Sequence, residues 1–277
     1  MQQPDRSGCP ATGGPHVLRF DGAALAAAGY ESPSLLGRSR GSEPAREMKL
    51  LVDERQAREI ETRLRPFLML DRHANPAEGN GYCLSTLYCD TPGLDVFHRR
   101  GRYRLFKFRL RRYGLASEVY LERKSKQGTQ VRKRRTLVDL ADLDKFNLSA
   151  THQDFPSKTW DGAWYQRQVT RNRLQPVCLI QYQRVAYFGE SSAGPIRLTF
   201  DRNLRGGLCR EWSFDPPSSS TQFMPGMVVC EFKFRAALPA MFKSVLQSLS
   251  LTPHGVSKYR SCLHACGIVE NGNREYA

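Results

Sequence analysis

No stretch of this 277-residue sequence is long and apolar enough to cross a bilayer as a helix; the longest run of small apolar residues, Ala23 to Ala28, falls far short. The start lacks the charged segment and cleavage pattern of a secretory signal, so the sequence predicts a soluble, cytoplasmic protein. No P-loop or kinase-type glycine-rich loop occurs, and no Ser/His/Asp or Cys/His constellation marks a covalent nucleophile. The eight cysteines form no CxxC pair and no regular spacing. Cys83, Cys89, Cys178 and Cys230 lie in apolar, strand-like runs and read as reduced thiols acting as small hydrophobes. Cys262, His264 and Cys266 are the one metal-like grouping, and a helix end facing the core explains them as well. Acid is also scarce, with 27 Asp and Glu against 42 Lys and Arg and a net charge of +15. That balance implies a polyanionic partner: nucleic acid, a phosphorylated metabolite, inorganic polyphosphate or an anionic membrane surface.

What is present is concentrated. Arg99 to Arg135 holds fifteen Lys or Arg against two Glu, close to the whole chain's excess. A block of like charge is usually a solvated tail, but here the bases alternate with Phe, Leu, Tyr and Val at period two, the mark of strands with two chemically different faces. Lys107, Arg109 and Arg111 share one face, with Phe106, Phe108 and Leu110 on the other. After Tyr113-Gly114, the residues Glu118, Tyr120, Glu122, Lys124 and Lys126 fall together opposite Val119 and Leu121. A break at Gln127 to Thr129 returns the chain as VRKRRTLV, which carries Lys133. The pattern is a basic antiparallel meander.

Residues 1–44, rich in Gly, Pro, Ser and Ala without sustained periodicity, are expected to form a loosely ordered extension, and residues 45–270 one domain. That domain opens with a strand in which Glu47 and Lys49 alternate with Met48 and Leu50. Asp53 then caps a helix bearing Ala57, Ile60 and Leu64, stopped by Pro66. Tyr82 to Asp90, Val177 to Phe188, Ile196 to Asp201 and Met227 to Phe234 read as further strands. Asp139 to Phe146, Gly162 to Leu174, a segment opened by Pro239 with Met241, Val245 and Leu249, and one from about Ser257 read as helices. An open sheet would leave its charged face in bulk water. A closed antiparallel β-barrel, a tunnel with flanking helices in the α+β class, uses both faces.

Three strands far apart repeat one same-face pair: Glu47/Lys49, Glu122/Lys124 and Glu231/Lys233. Singly, each is explained by cross-strand ion pairing. Together with Arg109, Arg111, Arg184 and Arg197 they leave a basic surplus that internal pairing does not neutralise, poised for a polyanion. Arg offers bidentate geometry to phosphate oxygens and Lys a compact charge. The carboxylates would repel bare phosphate, so a divalent cation, Mg²⁺ or Mn²⁺, is expected to bridge them.

The motifs REMKLLVD, LYCDT, RLRRYG, LERK, YQRVAY, IRLTFD, CEFKF and SKY, in this order over residues 46–260, resemble the VTC-type polyphosphate polymerase domain of the triphosphate tunnel metalloenzyme superfamily. The resemblance implies a β-barrel tunnel, ATP as phosphoryl donor, inorganic polyphosphate as acceptor and product, and Mn²⁺ or Mg²⁺. It implies catalytic roles for Lys49, Arg109, Arg111, Lys124 and Lys258. Substrate contacts would come from Lys107, Lys126, Lys133, Tyr182, Arg184, Arg197, Lys233 and Ser257, and metal binding from Glu231. Two departures are plain: Gly255 and Val256 stand just upstream of Ser257, leaving His254 as the nearest basic residue, and the superfamily's ExExK signature is reduced to Glu47-x-Lys49. The rival readings are a triphosphatase or tripolyphosphatase of the same fold, and an RNA-binding module using the basic strands with Tyr103, Phe106, Phe108 and Tyr113. Glu so regularly interleaved with the bases argues against nucleic acid, and no specific nucleic-acid partner is expected. A membrane-protein partner for product export is not readable from the chain.

Overall fold

The computed structural model describes residues 45–127, 130–147 and 160–268, with the side chains of residues 45, 126, 127, 130 and 131 left aside. The expected extension over 1–44 lies outside the described residues.

Strand β1 (Ala45–Asp53) passes directly into helix α1 (Glu54–Leu64). Asp53 makes the junction: its carboxylate accepts from the Gln56 backbone N–H at 2.7 Å, and the Gln56 side chain accepts from Asp53 N–H at 3.1 Å. Two of the helix's first N–H groups are thereby satisfied. Ala57, Ile60 and Leu64 are buried along one side, and Pro66 sits in the 3₁₀ turn Arg65–Phe67 that ends the helix. The remaining strands are β2 (Met69–Leu70), β3 (Gly81–Asp90), β4 (Phe106–Tyr113), β5 (Glu118–Gln127), β6 (Gln130–Asp139), β7 (Gln175–Ser191), β8 (Gly194–Leu208), β9 (Thr221–Gln222) and β10 (Met227–Arg235). Helices α2 (Ala163–Asn172), α3 (Ala240–Ser248) and α4 (Lys258–Ala265) complete the described chain.

The main path of the sheet runs β1-β10-β8-β7-β3-β4-β5-β6, every neighbour antiparallel. Lys124 of β5, the strand next to the far edge, donates to Glu47 of β1 at 2.7 Å, so the sheet curls until β1 is within side-chain reach of β5. Among the described residues no backbone ladder joins β1 to β6. The expected closed barrel is, in hydrogen-bond terms, a curled sheet whose observed link near the seam is made by side chains.

Period-two alternation gives β1, β4, β5, β10 and the first half of β8 an apolar and a charged face. Leu50 and Val52 of β1, Leu198 and Phe200 of β8, and Cys230 and Phe232 of β10 form a cluster with Ile60 of α1 and Phe242 of α3. Phe232 stacks on Phe242 with centroids 4.3 Å apart. Each such buried ring contributes roughly 1.5–3 kcal/mol. Phe108, Leu110, Val119 and Leu121 make the corresponding cluster with Trp164 and Tyr165 of α2. Both interiors are saturated by carbon, which leaves the opposite face of the sheet to the charges.

Helix α4 is different: Tyr259 stacks at 5.2 Å on Tyr88, whose register partner is Arg109, so this helix lies against the charged face. Its close approach to β8 depends on Gly206, where an added Cβ would stand 2.6 Å from Cys262 Sγ.

Three expectations need correction. Asp139 to Phe146 is not an α-helix but a 3₁₀ segment over Leu140–Phe146, because Leu140, Leu143 and Phe146 recur at period three. Strand β8 continues past Asp201 to Leu208; its register shifts between Gln181 and Gln183 on β7, and Asn203 has φ 52°, a bulge that interrupts the alternation a sequence reading follows. In α3 the buried residues are Phe242 and Val245, while Met241 and Leu249 pack at the margin.

Candidate active site in the lumen

The register of β1 and β10 sets Lys49 opposite Glu231 and Glu47 opposite Lys233. Glu47 also meets Lys49 at 3.0 Å, and Glu231 forms an ion pair with Lys233. Burial alone would raise both carboxyls. For Glu47 the charges of Lys49, Lys233 and Lys124 outweigh it and hold the group well below the usual range. For Glu231 burial and the nearby Glu47 are overcome by Lys233, Lys49 and Lys124, leaving it at about 2. Lys49 is driven the other way, above its ordinary value, because Glu47 and Glu231 more than offset its burial.

A second knot centres on Glu122, only 1% exposed, which meets Arg109 at 2.6 Å, Lys133 at 2.7 Å and Arg135 at 3.3 Å. A third centres on Asp201, fully buried, which accepts both Nε and Nη2 of Arg184 at 2.6 and 2.7 Å and meets Lys258 Nζ at 2.6 Å. Tyr182 lies beneath these cations, with Lys258 5.0 Å and Arg184 5.5 Å from its ring centre. A fourth holds Arg197 on Asp71 at 3.1 Å. Ser257 caps α4, its hydroxyl accepting from Arg260 N–H at 3.5 Å, and thereby presents Lys258 as the first helical residue. The side chain of Lys126 lies outside the described residues.

The bases marked from sequence and described here thus converge on one lumen. Two of them have no carboxylate within ion-pair distance among the described residues. Arg111 is 7% exposed, and its one hydrogen bond among the described residues is to Thr86 Oγ1 at 3.4 Å. Lys107 stands at the solvent-reachable end of β4, surrounded by the wall. Enclosure, then the charges of Lys49, Lys124 and Arg109, lower it to about 7; Lys133 falls to about 7 as burial, Arg135, Arg109 and Arg111 outweigh Glu122.

Those shifts give a pH prediction with a definite sign. Both lysines are lowered in the folded state, so the penalty for charging them is fully present below pH 7 and is relieved as pH rises toward the ordinary lysine value. The ligand-free protein should therefore gain thermal stability from pH 7 to about 9 through these two groups. Melting curves of the parent and of a Lys107→Gln, Lys133→Gln variant check this; an identical slope in both would contradict it.

Asp201, Asp71 and Arg135 were given no site role by sequence reasoning, and Glu122 was marked only through its pair with Lys124, as one of the carboxylates a divalent cation would bridge, not as the partner of Arg109, Lys133 and Arg135. For Glu122 and Asp201 the signal existed, since both share a strand face with marked bases. Arg135 could have been found from its period-two spacing with Lys133. Asp71 lies in a turn just after a two-residue strand, where no periodicity points.

Among the described residues no three His, Cys, Asp or Glu side chains converge as a metal cage. Glu47 and Glu231, on paired strands, supply two carboxylates, and Thr199, in register with Glu231, has a buried hydroxyl without a hydrogen-bond partner. That oxygen-only set fits Mg²⁺ or Mn²⁺ arriving with phosphate oxygens better than a cation held by protein alone.

The VTC domain matches residues 44–266. The chain belongs to the VTC domain family. No curated protein matches this VTC domain. Among solved structures it is similar to an adenylyl cyclase candidate from Hippeastrum described as having a dominant triphosphatase activity, with 13% identity, TM-score 0.46, and coverage of 83% of this chain and 100% of that one. Adenylate cyclase candidates from Bacillus halodurans (14% identity, TM-score 0.45, 78% and 94% covered) and Vibrio parahaemolyticus (13%, 0.43, 80% and 99%) are similar too. No helix among the described residues of this VTC domain is long and apolar enough to cross a membrane.

Proposed function

We propose that this VTC domain is a metal-dependent phosphotransferase that extends inorganic polyphosphate from ATP inside its lumen, as a barrel closed around the substrate. The observation that carries the reading is Arg111, a buried guanidinium with no carboxylate within ion-pair distance among the described residues. A buried charge left uncompensated is costly, so the site is set to receive an anion. Lys107, exposed and with no carboxylate within ion-pair distance among the described residues, adds a second cation nearby when it is protonated.

Phosphoryl transfer needs positioning and charge neutralisation more than covalent help from the protein. Arg109 and Arg111 hold triphosphate oxygens, with Arg109 kept in place by Glu122. Lys49, Lys107 and Lys124 lower the repulsion between the donor and the anionic chain end, with Lys133 and Lys233 beside them. Arg184, Arg197, Tyr182, Ser257 and Lys258 shape the rest of the phosphate path, and Lys126 is assigned to it from its strand position. A terminal oxygen of the chain forms a new bond to the γ-phosphorus, the bond from that phosphorus to the β–γ bridging oxygen breaks, and ADP leaves with its electron pair. Bound Mn²⁺ or Mg²⁺, held by Glu231 with Glu47 beside it, would supply Lewis-acid neutralisation of the triphosphate.

Glu231→Gln tests the reading. The swap keeps shape while removing the anionic ligand, so ATP consumption at limiting Mn²⁺ should collapse; because Glu231 is also the buried partner of Lys233, the thermal midpoint should fall too, and turnover is compared at a temperature where the variant is still folded. Parent-level turnover in the variant would make Glu231 a structural partner of Lys233 instead.

A further inference from the structure

The turn after β2 brings to the lumen a group of residues that the proposed reaction does not use. Asp71 fixes the turn: its N–H donates to Ala186 O at 2.8 Å, and its carboxylate accepts from His73 N–H at 3.0 Å and Tyr82 O–H at 3.3 Å besides meeting Arg197. The half-buried His73 ring rests on Tyr82 and Tyr113, with centroids 5.9 and 6.0 Å away. Arg135 crosses from β6, donating to the Tyr113 hydroxyl oxygen at 3.4 Å and covering the Tyr120 ring at 3.2 Å. The Nε of Arg197 is buried without a hydrogen-bond partner.

His73 and Arg135 meet on Tyr113, Arg197 is held on Asp71, and Arg72 lies between Asp71 and His73 in the turn, so three elements bring guanidinium groups to the neighbourhood of one imidazole. Such a concentration of guanidinium groups suits tetrahedral phosphate oxygens. A nucleobase is less suited, because Tyr82 and Tyr113 already stack on each other and Arg135 covers Tyr120. We propose that Arg72, His73, Arg135 and Arg197 form a second oligophosphate subsite, which takes the part of a linear phosphate chain that extends beyond the reacting centre. This rests on the lumen being a polyphosphate path.

The groups facing His73 are Asp71 and Arg72 on its own turn, Tyr82 on β3, Tyr113 on β4, Arg135 on β6 and Arg197 on β8. Burial first, then the three arginines, outweigh Asp71 and lower the imidazole below its ordinary value. A bound phosphate brings negative charge to the same place, so occupation should protonate His73.

The experiment is an NMR titration of labelled imidazoles in the full chain, with and without saturating linear polyphosphate, His73 being assigned by its loss in His73→Asn. Calorimetry with tripolyphosphate and the longer chain runs alongside. Expected is a rise of about one pH unit in the His73 midpoint, equivalent to about tenfold tighter binding by the protonated form. His73→Asn should weaken long-chain binding several-fold with its melting midpoint unchanged, and His73→Arg should restore it. If both ligands bind while His73 does not respond, the subsite is refuted and the tunnel reading stands. If neither ligand binds with or without Mn²⁺, the functional reading falls and the subsite with it.

Discussion

Arg111→Ala is expected to lower kcat/KM for ATP about ten- to a hundredfold while leaving the melting midpoint at or above that of the parent. The loss follows from a charge-assisted phosphate contact worth roughly 1.5–3 kcal/mol in an enclosed site. The retained stability follows from the contacts: among the described residues Arg111 has no carboxylate within ion-pair distance and makes one long hydrogen bond, to Thr86, and the repulsion of Arg109 stands against the more distant attraction of Glu122. Removing it relieves repulsion between like charges. Were this strand an RNA reader, the same change would weaken binding modestly and reduce the salt slope by about one, with no ATP turnover to lose. Kinetics and melting on the same preparation separate the cases; a large fall in stability would show that Arg111 holds the wall together.

Glu122→Gln should do the opposite. Three cations converge on a carboxylate with 1% exposure, and neutralising it leaves Arg109, Lys133 and Arg135 facing one another. Breaking a buried ion pair from one side costs about 3–5 kcal/mol, which for a chain of this size is a fall in melting midpoint on the order of 10 °C. Because the defect is a missing anion, tripolyphosphate should recover more stability in Glu122→Gln than it adds to the parent. Thermal melts with and without the ligand measure both effects. A variant as stable as the parent would mean that water in the lumen already screens the three cations.

The contrast between Arg111 and Glu122 also shows where the sequence was informative. Period two placed Lys49, Lys107, Arg109, Arg111, Lys124 and Glu231 on the charged faces, and the strands keep that period, so these residues meet. Asp53, three residues before Gln56, announced the helix start that the structure has. Which cation answers which carboxylate was not legible: Glu47 reaches Lys124 from β1 to β5, and Asp201 gathers Arg184 and Lys258 from β7 and α4. Such pairings depend on how the sheet curls and on where α4 docks, which local alternation does not encode. Asp71 and His73 were missed for another reason. They sit in a turn held by Asp71's own hydrogen bonds, without hydrophobic periodicity to mark it. The bulge near Asn203 likewise hid the second half of β8, since an extra residue reverses which face each following side chain takes.

The central claim is that the γ-phosphate of ATP is passed to a phosphate chain. The most direct test incubates the purified protein with ATP labelled at the γ-phosphorus and Mn²⁺, resolves the products on a gel and quantifies ADP. The account predicts label in long chains, with one phosphate incorporated for each ADP released, and loss of both products in the Arg109→Ala, Arg111→Ala double variant. Label appearing only as orthophosphate would contradict polymerisation and leave a triphosphatase; no ADP with any divalent cation, together with tight RNA binding, would contradict the enzyme altogether.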